Sequence, residues 1–101
     1  MKRSLITLAM SVCAATPALA DLALAKTRNC MACHGVEKKI VGPSFQDVAK
    51  RYAGQSEAAA MLAGKIMQGG SGAWGPIPMP ANNQVSPADA NKLATWVLSL
   101  Q

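Results

Sequence analysis

The sequence predicts a small all-α domain of about four helices, on three observations. Alternating runs of β-branched residues, the pattern of a half-buried strand, are missing from the whole chain. Two stretches carry apolar side chains at helical spacing: Ala59, Leu62, Ala63 and Ile66, then Leu93, Trp96, Val97 and Leu100. The chain is short, at 101 residues, and its first twenty read as a segment that is removed.

That segment has the three parts of a secretory leader. Lys2 and Arg3 are positive, Leu5 to Ala15 is mostly apolar, and Pro17-Ala18-Leu19-Ala20 ends on small residues, so cleavage is expected after Ala20. The apolar run is too short to cross ~30 Å of hydrocarbon, so no stable membrane insertion is expected. Cys13 is discarded with the leader. Residues 1–20 are thus read as signal peptide and residues 21–101 as one domain, exported to the periplasm. Two of the ten basic residues leave with the leader, which leaves eight against five acidic ones and a net charge of +3. Lys38-Lys39 and Lys50-Arg51 are short pairs and aromatics are few, so nucleic acid is not an expected partner and the pairs read as solvated surface.

Residues 22–29 are alanine-rich and weakly amphipathic, a short first helix. It leads into Cys30-Met31-Ala32-Cys33-His34, the attachment sequence of a c-type haem. The spacing has a chemical reason: two thiols three positions apart add across the two vinyl groups of one porphyrin. The turn that carries them puts His34 beneath the iron as proximal ligand. A mature domain this small buries only about 60–65% of its unfolded surface and needs a staple. A disulfide between Cys30 and Cys33 closes too small a loop to serve, whereas a covalently held haem does serve.

Residues 35–44 read as loop, broken by Gly35 and Gly42-Pro43. The nitrogen of His34 that faces away from iron needs an acceptor; the Pro43 carbonyl is a candidate, and a simple turn is the other reading of Gly42-Pro43. A second helix is expected from Ser44 to Tyr52, stopped by Gly54. A third is expected from Ser56, as N-cap, to Gln68, stopped by Gly69-Gly70. Residues 69–85 stand apart. Pro76, Pro78 and Pro80 exclude helix and central strand, so the segment is expected to wrap irregularly around the haem edge. Ser86 caps the last helix, Pro87 suits its first position, and Asp89 completes a near capping box. Trp96 lies on the apolar face of that helix and is read as core.

The sixth iron ligand separates an electron carrier from a ligand binder. The mature chain has no second histidine, so Met31, Met61, Met67 and Met79 are the thioether candidates. Met79 is preferred because flanking prolines reduce the entropy lost when the sulfur is fixed. Thioether ligation favours ferrous iron, and filling both axial positions suits one-electron transfer rather than catalysis. Trp74 and Lys65 each carry a donor able to reach a haem propionate. Three other readings compete. A thiol–disulfide oxidoreductase would use Cys30 and Cys33 on a thioredoxin-like sheet. A sensor or peroxidase-like protein would release Met79 easily. A zinc site would need a second ligand pair.

The haem motif, Val41-Gly42-Pro43, Trp74-Gly75-Pro76-Ile77-Pro78-Met79-Pro80 and the terminal Trp96-Val97-Leu98 together resemble the short bacterial class I cytochromes c of the cytochrome c-551 type. The similarity covers essentially all of residues 21–101. It implies a class I cytochrome c fold around one covalent haem c, with His34 and Met79 on iron and the Pro43 carbonyl accepting from His34. It implies that Trp74 and Lys65 face a propionate and that Asn82 hydrogen-bonds near the Met79 sulfur. It further implies a monomeric periplasmic single-electron carrier, not an enzyme. Such a carrier passes electrons from a bc-type complex or another cytochrome to nitrite reductase, in denitrification, or to an oxidase or peroxidase. Docking would use an apolar rim of Met31, Ile77, Pro78 and Pro80. Relatives commonly have an aromatic where Ala25 stands, which predicts a thinner contact between first and last helices. They often have arginine where Lys65 stands, and lysine lacks the planar fork.

Overall fold

The computed structural model describes residues 17–101, with side chains from residue 21. Four helices form among the described residues: α1 (Pro17–Thr27), α2 (Phe45–Arg51), α3 (Ala58–Gln68) and α4 (Pro87–Leu98). A 3-10 turn at Cys30–Ala32 carries the cysteines, and a two-stranded ribbon of β1 (Gly70–Gly72) and β2 (Gly75–Met79) joins α3 to the segment before α4. The leader expected over residues 1–20 lies mostly outside the described residues, although the backbone of α1 begins at Pro17.

The last helix organises the rest. It packs on α1, α2 and α3, and it supplies Ala90, Leu93, Ala94, Trp96 and Val97 to the core. Ala25 from α1, Phe45 and Val48 from α2, and Ala63 from α3 meet this face. Alanine recurs at these crossings because a small side chain lets two backbones come close and still fills the gap. Ala25 is fully buried, where α1 seats on α4. Trp96 is core, as expected, with its indole edge-on to Phe45 at 5.4 Å.

Local signals account for most of the boundaries. The Ser44 hydroxyl accepts from the Asp47 amide at 3.1 Å and opens α2; the Ser86 hydroxyl does the same for Asp89 and opens α4, with Pro87 in its first turn. The Asp89 carboxylate does not close the capping box. It accepts instead from Arg28 at 3.1 Å, tying the chain after α1 to the start of α4. The start expected for α3 at Ser56 is corrected: Glu57 precedes its first residue and makes no side-chain cap. A run of turns from Tyr52, in which the Gln55 amide donates to Tyr52 O and the Ala58 amide to Gln55 O, delivers the chain to α3 without a cap.

The ribbon corrects the expectation that no strand forms. Gly70 pairs with Met79 and Gly72 with Gly75, antiparallel, with a bulge between the two pairs. Prolines at 76 and 78 remain compatible with this because a two-stranded ribbon has free edges on which a missing N–H costs nothing. All of β1 and most of β2 are exposed.

Candidate haem and metal centre

The 3-10 turn is built for its sequence. Asn29 takes the left-handed conformation at φ 63°, which an asparagine tolerates, and turns the chain out of α1. The Cys33 and His34 amides both donate to the Cys30 carbonyl, at 3.2 and 3.0 Å, so the two cysteines and the histidine form one tight unit. The Cys33 carbonyl in turn accepts from the amides of Val41 and Gly42, at 3.1 and 2.8 Å, which folds the 35–42 loop back under the motif. Both cysteines are half-buried free thiols, and burial pushes the Cys30 thiol up from its ordinary pKa.

His34 is held on three sides. Its Nδ1 lies 2.8 Å from the Pro43 carbonyl oxygen, the contact expected from the sequence. A carbonyl can only accept, so Nδ1 is the donor in this contact, an arrangement that in the neutral ring leaves the lone pair on Nε2. Phe45 stacks on the imidazole at 5.0 Å and 20°. Gly42 closes the third side: a Cβ there would stand 2.6 Å from the ring, so no larger residue fits while the imidazole keeps this position.

These groups line a cavity of about 360 Å³ between the motif, α2, α3, α4 and the ribbon. Cys30, Cys33, His34 and Pro43 are on its wall, and so is Met79 at the end of β2. Lys65 and Trp74 reach the same cavity from α3 and the ribbon's turn. Leu62, Ile66, Leu93, Ala94 and Val97 supply an apolar lining that excludes water from a flat ligand. Met61 is exposed on the outside of α3, and Met31 and Met67 pack partly against the core, so among the methionines expected as candidates only Met79 borders the cavity. The donor set of two thiols, an imidazole nitrogen and a thioether around an apolar cavity fits a haem c.

Asn82 is not on the cavity wall. Its side-chain amide donates to the carbonyls of Ile66 at 2.8 Å and Pro80 at 3.5 Å, and Gln84 donates to its oxygen at 3.2 Å. It thereby ties the segment after Met79 to the end of α3. Gly69 makes that junction possible. It leaves α3 at φ 72°, and a Cβ on it would run into the Met79 carbonyl oxygen. Of the apolar rim, Ile77 is 63% exposed and Pro78 and Pro80 are exposed beside it, whereas Met31 is half-buried.

Sequence reasoning missed Arg51, which was read as solvated surface. Its guanidinium lies 4.4 Å from the centre of the Trp74 ring and donates to the Ala73 carbonyl. Only the cation and aromatic composition of α2 and the ribbon signalled this pair; their contact depends on the fold. Two of the competing readings lose their footing. A helix, not a strand, leads into the cysteines, so the thioredoxin-like arrangement is absent. Among the described residues no three His, Cys, Asp or Glu side chains gather as a zinc site would need.

Comparison with known proteins gives a consistent result. The sequence model of the family described as cytochrome c matches residues 22–101. Cytochrome c-552 of Nitrosomonas europaea is 57% identical over 84 residues, covering 83% of this chain and 82% of that one. Cytochrome c-552 of Hydrogenobacter thermophilus is 48% identical over 101 residues, the whole of both chains. The crystal structure of the wild-type Nitrosomonas europaea cytochrome c552 superposes with a TM-score of 0.77 at 56% identity, covering 79% of this chain and 99% of that one.

Proposed function

This chain belongs to the cytochrome c family and is an electron-transfer protein, not an enzyme, that carries one covalently bound haem c; from that premise we propose that it is a periplasmic single-electron shuttle with His34 and Met79 as the axial iron ligands. The 2.8 Å contact of His34 Nδ1 with the Pro43 carbonyl, on the wall of a cavity that Cys30 and Cys33 also line, is the observation that carries the reading. When bound, the haem supplies a ferric–ferrous couple that moves one electron at a time.

The chain's own groups prepare for that chemistry. Cys30 and Cys33 are assigned the two thioether bonds. Pro43, Gly42 and Phe45 hold the imidazole in one orientation, so little rearrangement accompanies a change of charge at iron. Met79 is assigned the sixth position, where its thioether favours the ferrous state and raises the potential. Trp74 and Lys65 are assigned to a propionate, and Asn82 to keeping the Met79 segment against α3.

Redox partners are assigned to the exposed apolar rim of Ile77, Pro78 and Pro80, with Met31 at its border. Short-lived complexes suit such a small, mostly apolar contact. The donor is assigned as a bc-type complex or another cytochrome, and the acceptor as nitrite reductase, an oxidase or a peroxidase. Residues 1–20 are assigned as a signal peptide, which leaves a monomeric domain of residues 21–101; among the described residues no helix is long and apolar enough to cross a membrane.

The test is the spectrum of protein exported with haem-attachment machinery. The expected result is a low-spin ferrous spectrum that survives acid-acetone extraction, with a ferric sulfur-to-iron band that Met79→Ala abolishes. A ferric spectrum unchanged in Met79→Ala overturns the assignment of Met79. Amino-terminal sequencing of the same protein is expected to begin at Asp21.

A further inference from the structure

We propose that Arg51 is a positioning residue that clasps the tip of the β1–β2 ribbon and thereby keeps the Met79 thioether on iron. The proposal rests on the assignment of Met79 as ligand.

The ribbon needs an anchor. Its strands are mostly exposed and its positions 70, 72 and 75 are glycines at positive φ, so burial holds little of it and the prolines stiffen only β2. Its base is tied to α3, through the Gly69 amide to Lys65 O at 2.8 Å and through Asn82 to Ile66 O. Its tip, Ala73-Trp74, reaches α2 instead. There Arg51 does two things at once. Its planar guanidinium covers the Trp74 indole at 4.4 Å, and one of its N–H groups donates to the Ala73 carbonyl beside it. Tyr52, next in sequence, meets the same indole edge-on at 6.5 Å.

Only arginine combines a stacking face with a laterally placed donor; lysine keeps the charge and loses the plane. Met79 lies at the other end of the strand that starts at Gly75, directly after Trp74, so the ribbon moves as a lever. With base and tip both tied, the sulfur has one position. With the tip released, β2 can swing about Gly69 and Gly70, and the sulfur leaves iron more often.

The experiment is imidazole titration of the ferric haem protein at 25 °C, followed by loss of the sulfur-to-iron band. An incoming imidazole binds only when Met79 is away, so its apparent affinity reports the open fraction. Arg51→Gln is expected to tighten apparent imidazole binding about tenfold, the combined size of one cation–π contact and one hydrogen bond. Arg51→Lys is expected to fall between Arg51→Gln and the wild type. Lys50→Gln, which removes the neighbouring charge, is expected to stay within about twofold of the wild type.

A change in melting temperature with unchanged imidazole affinity would make Arg51 a stabilising residue only and overturn the proposal. An equal effect from Lys50→Gln would overturn it in favour of net charge. If the wild type shows no sulfur-to-iron band, the ligand assignment fails and the clasp fails with it. A wild-type band with Arg51→Gln behaving as wild type sinks the clasp alone.

Discussion

The histidine side and the methionine side of the cavity are built on different principles. His34 sits where the 3-10 turn, Gly42, Pro43 and Phe45 converge, and Phe45 is itself locked against Trp96 in the core. Met79 sits at the end of an exposed ribbon held by a few hydrogen bonds, one arginine and prolines on either side. Displacing His34 would disturb the packing of α2 and α4. Displacing Met79 costs only local contacts. Under the proposed ligation by His34 and Met79, the packed core fixes the histidine side and leaves the methionine side adjustable.

The comparison predicts where damage stays local. Leu93→Ala, at a residue 2% exposed on α4, is expected to lower global stability by about 2–5 kcal/mol. In a denaturant titration the sulfur-to-iron band and the far-ultraviolet signal should then be lost together. Separate midpoints would show that the methionine side does not depend on the core. Gly42→Ala should rank next, at about 1–3 kcal/mol, because its Cβ must push the imidazole or the loop aside. Voltammetry should show a shifted potential for this variant as the ring reorients; an unchanged potential would mean that the loop alone yields. Pro78→Ala is expected to be smallest, about 0.4–1 kcal/mol, acting through a looser segment around Met79. It should lower the temperature at which the sulfur-to-iron band fades and leave the global unfolding midpoint in place. A fall in both midpoints by the same amount would contradict the division between the two sides.

The parts of the site that were legible in the sequence are those that local chemistry specifies. Cys30, Cys33 and His34 are close in sequence and form one turn, so their meeting needs no tertiary information. Pro43 was legible because the imidazole requires an acceptor and a glycine beside it permits close approach. The ribbon was not legible. Its residues are glycines and prolines that lack the alternation of a strand, and pairing arises only when both arms close over the cavity with a bulge. Asp89 was read as a capping residue from its place after Ser86. Its carboxylate instead met Arg28, which lies 61 positions away in the chain.

The amino-acid sequence by itself determined the helices, the cap at Ser86, the apolar faces of α3 and α4 and the attachment turn, because each depends on residues within one or two turns of each other. The meeting of Arg51 with Trp74, the complete burial of Ala25 against α4 and the placing of Met79, rather than Met61 or Met67, on the cavity wall were decided only by the tertiary structure. They join segments distant in sequence, and which distant side chains meet is set by how α1, α2 and α3 pack around α4. Periodicity can show that a helix has an apolar face; it cannot show which other face will cover it.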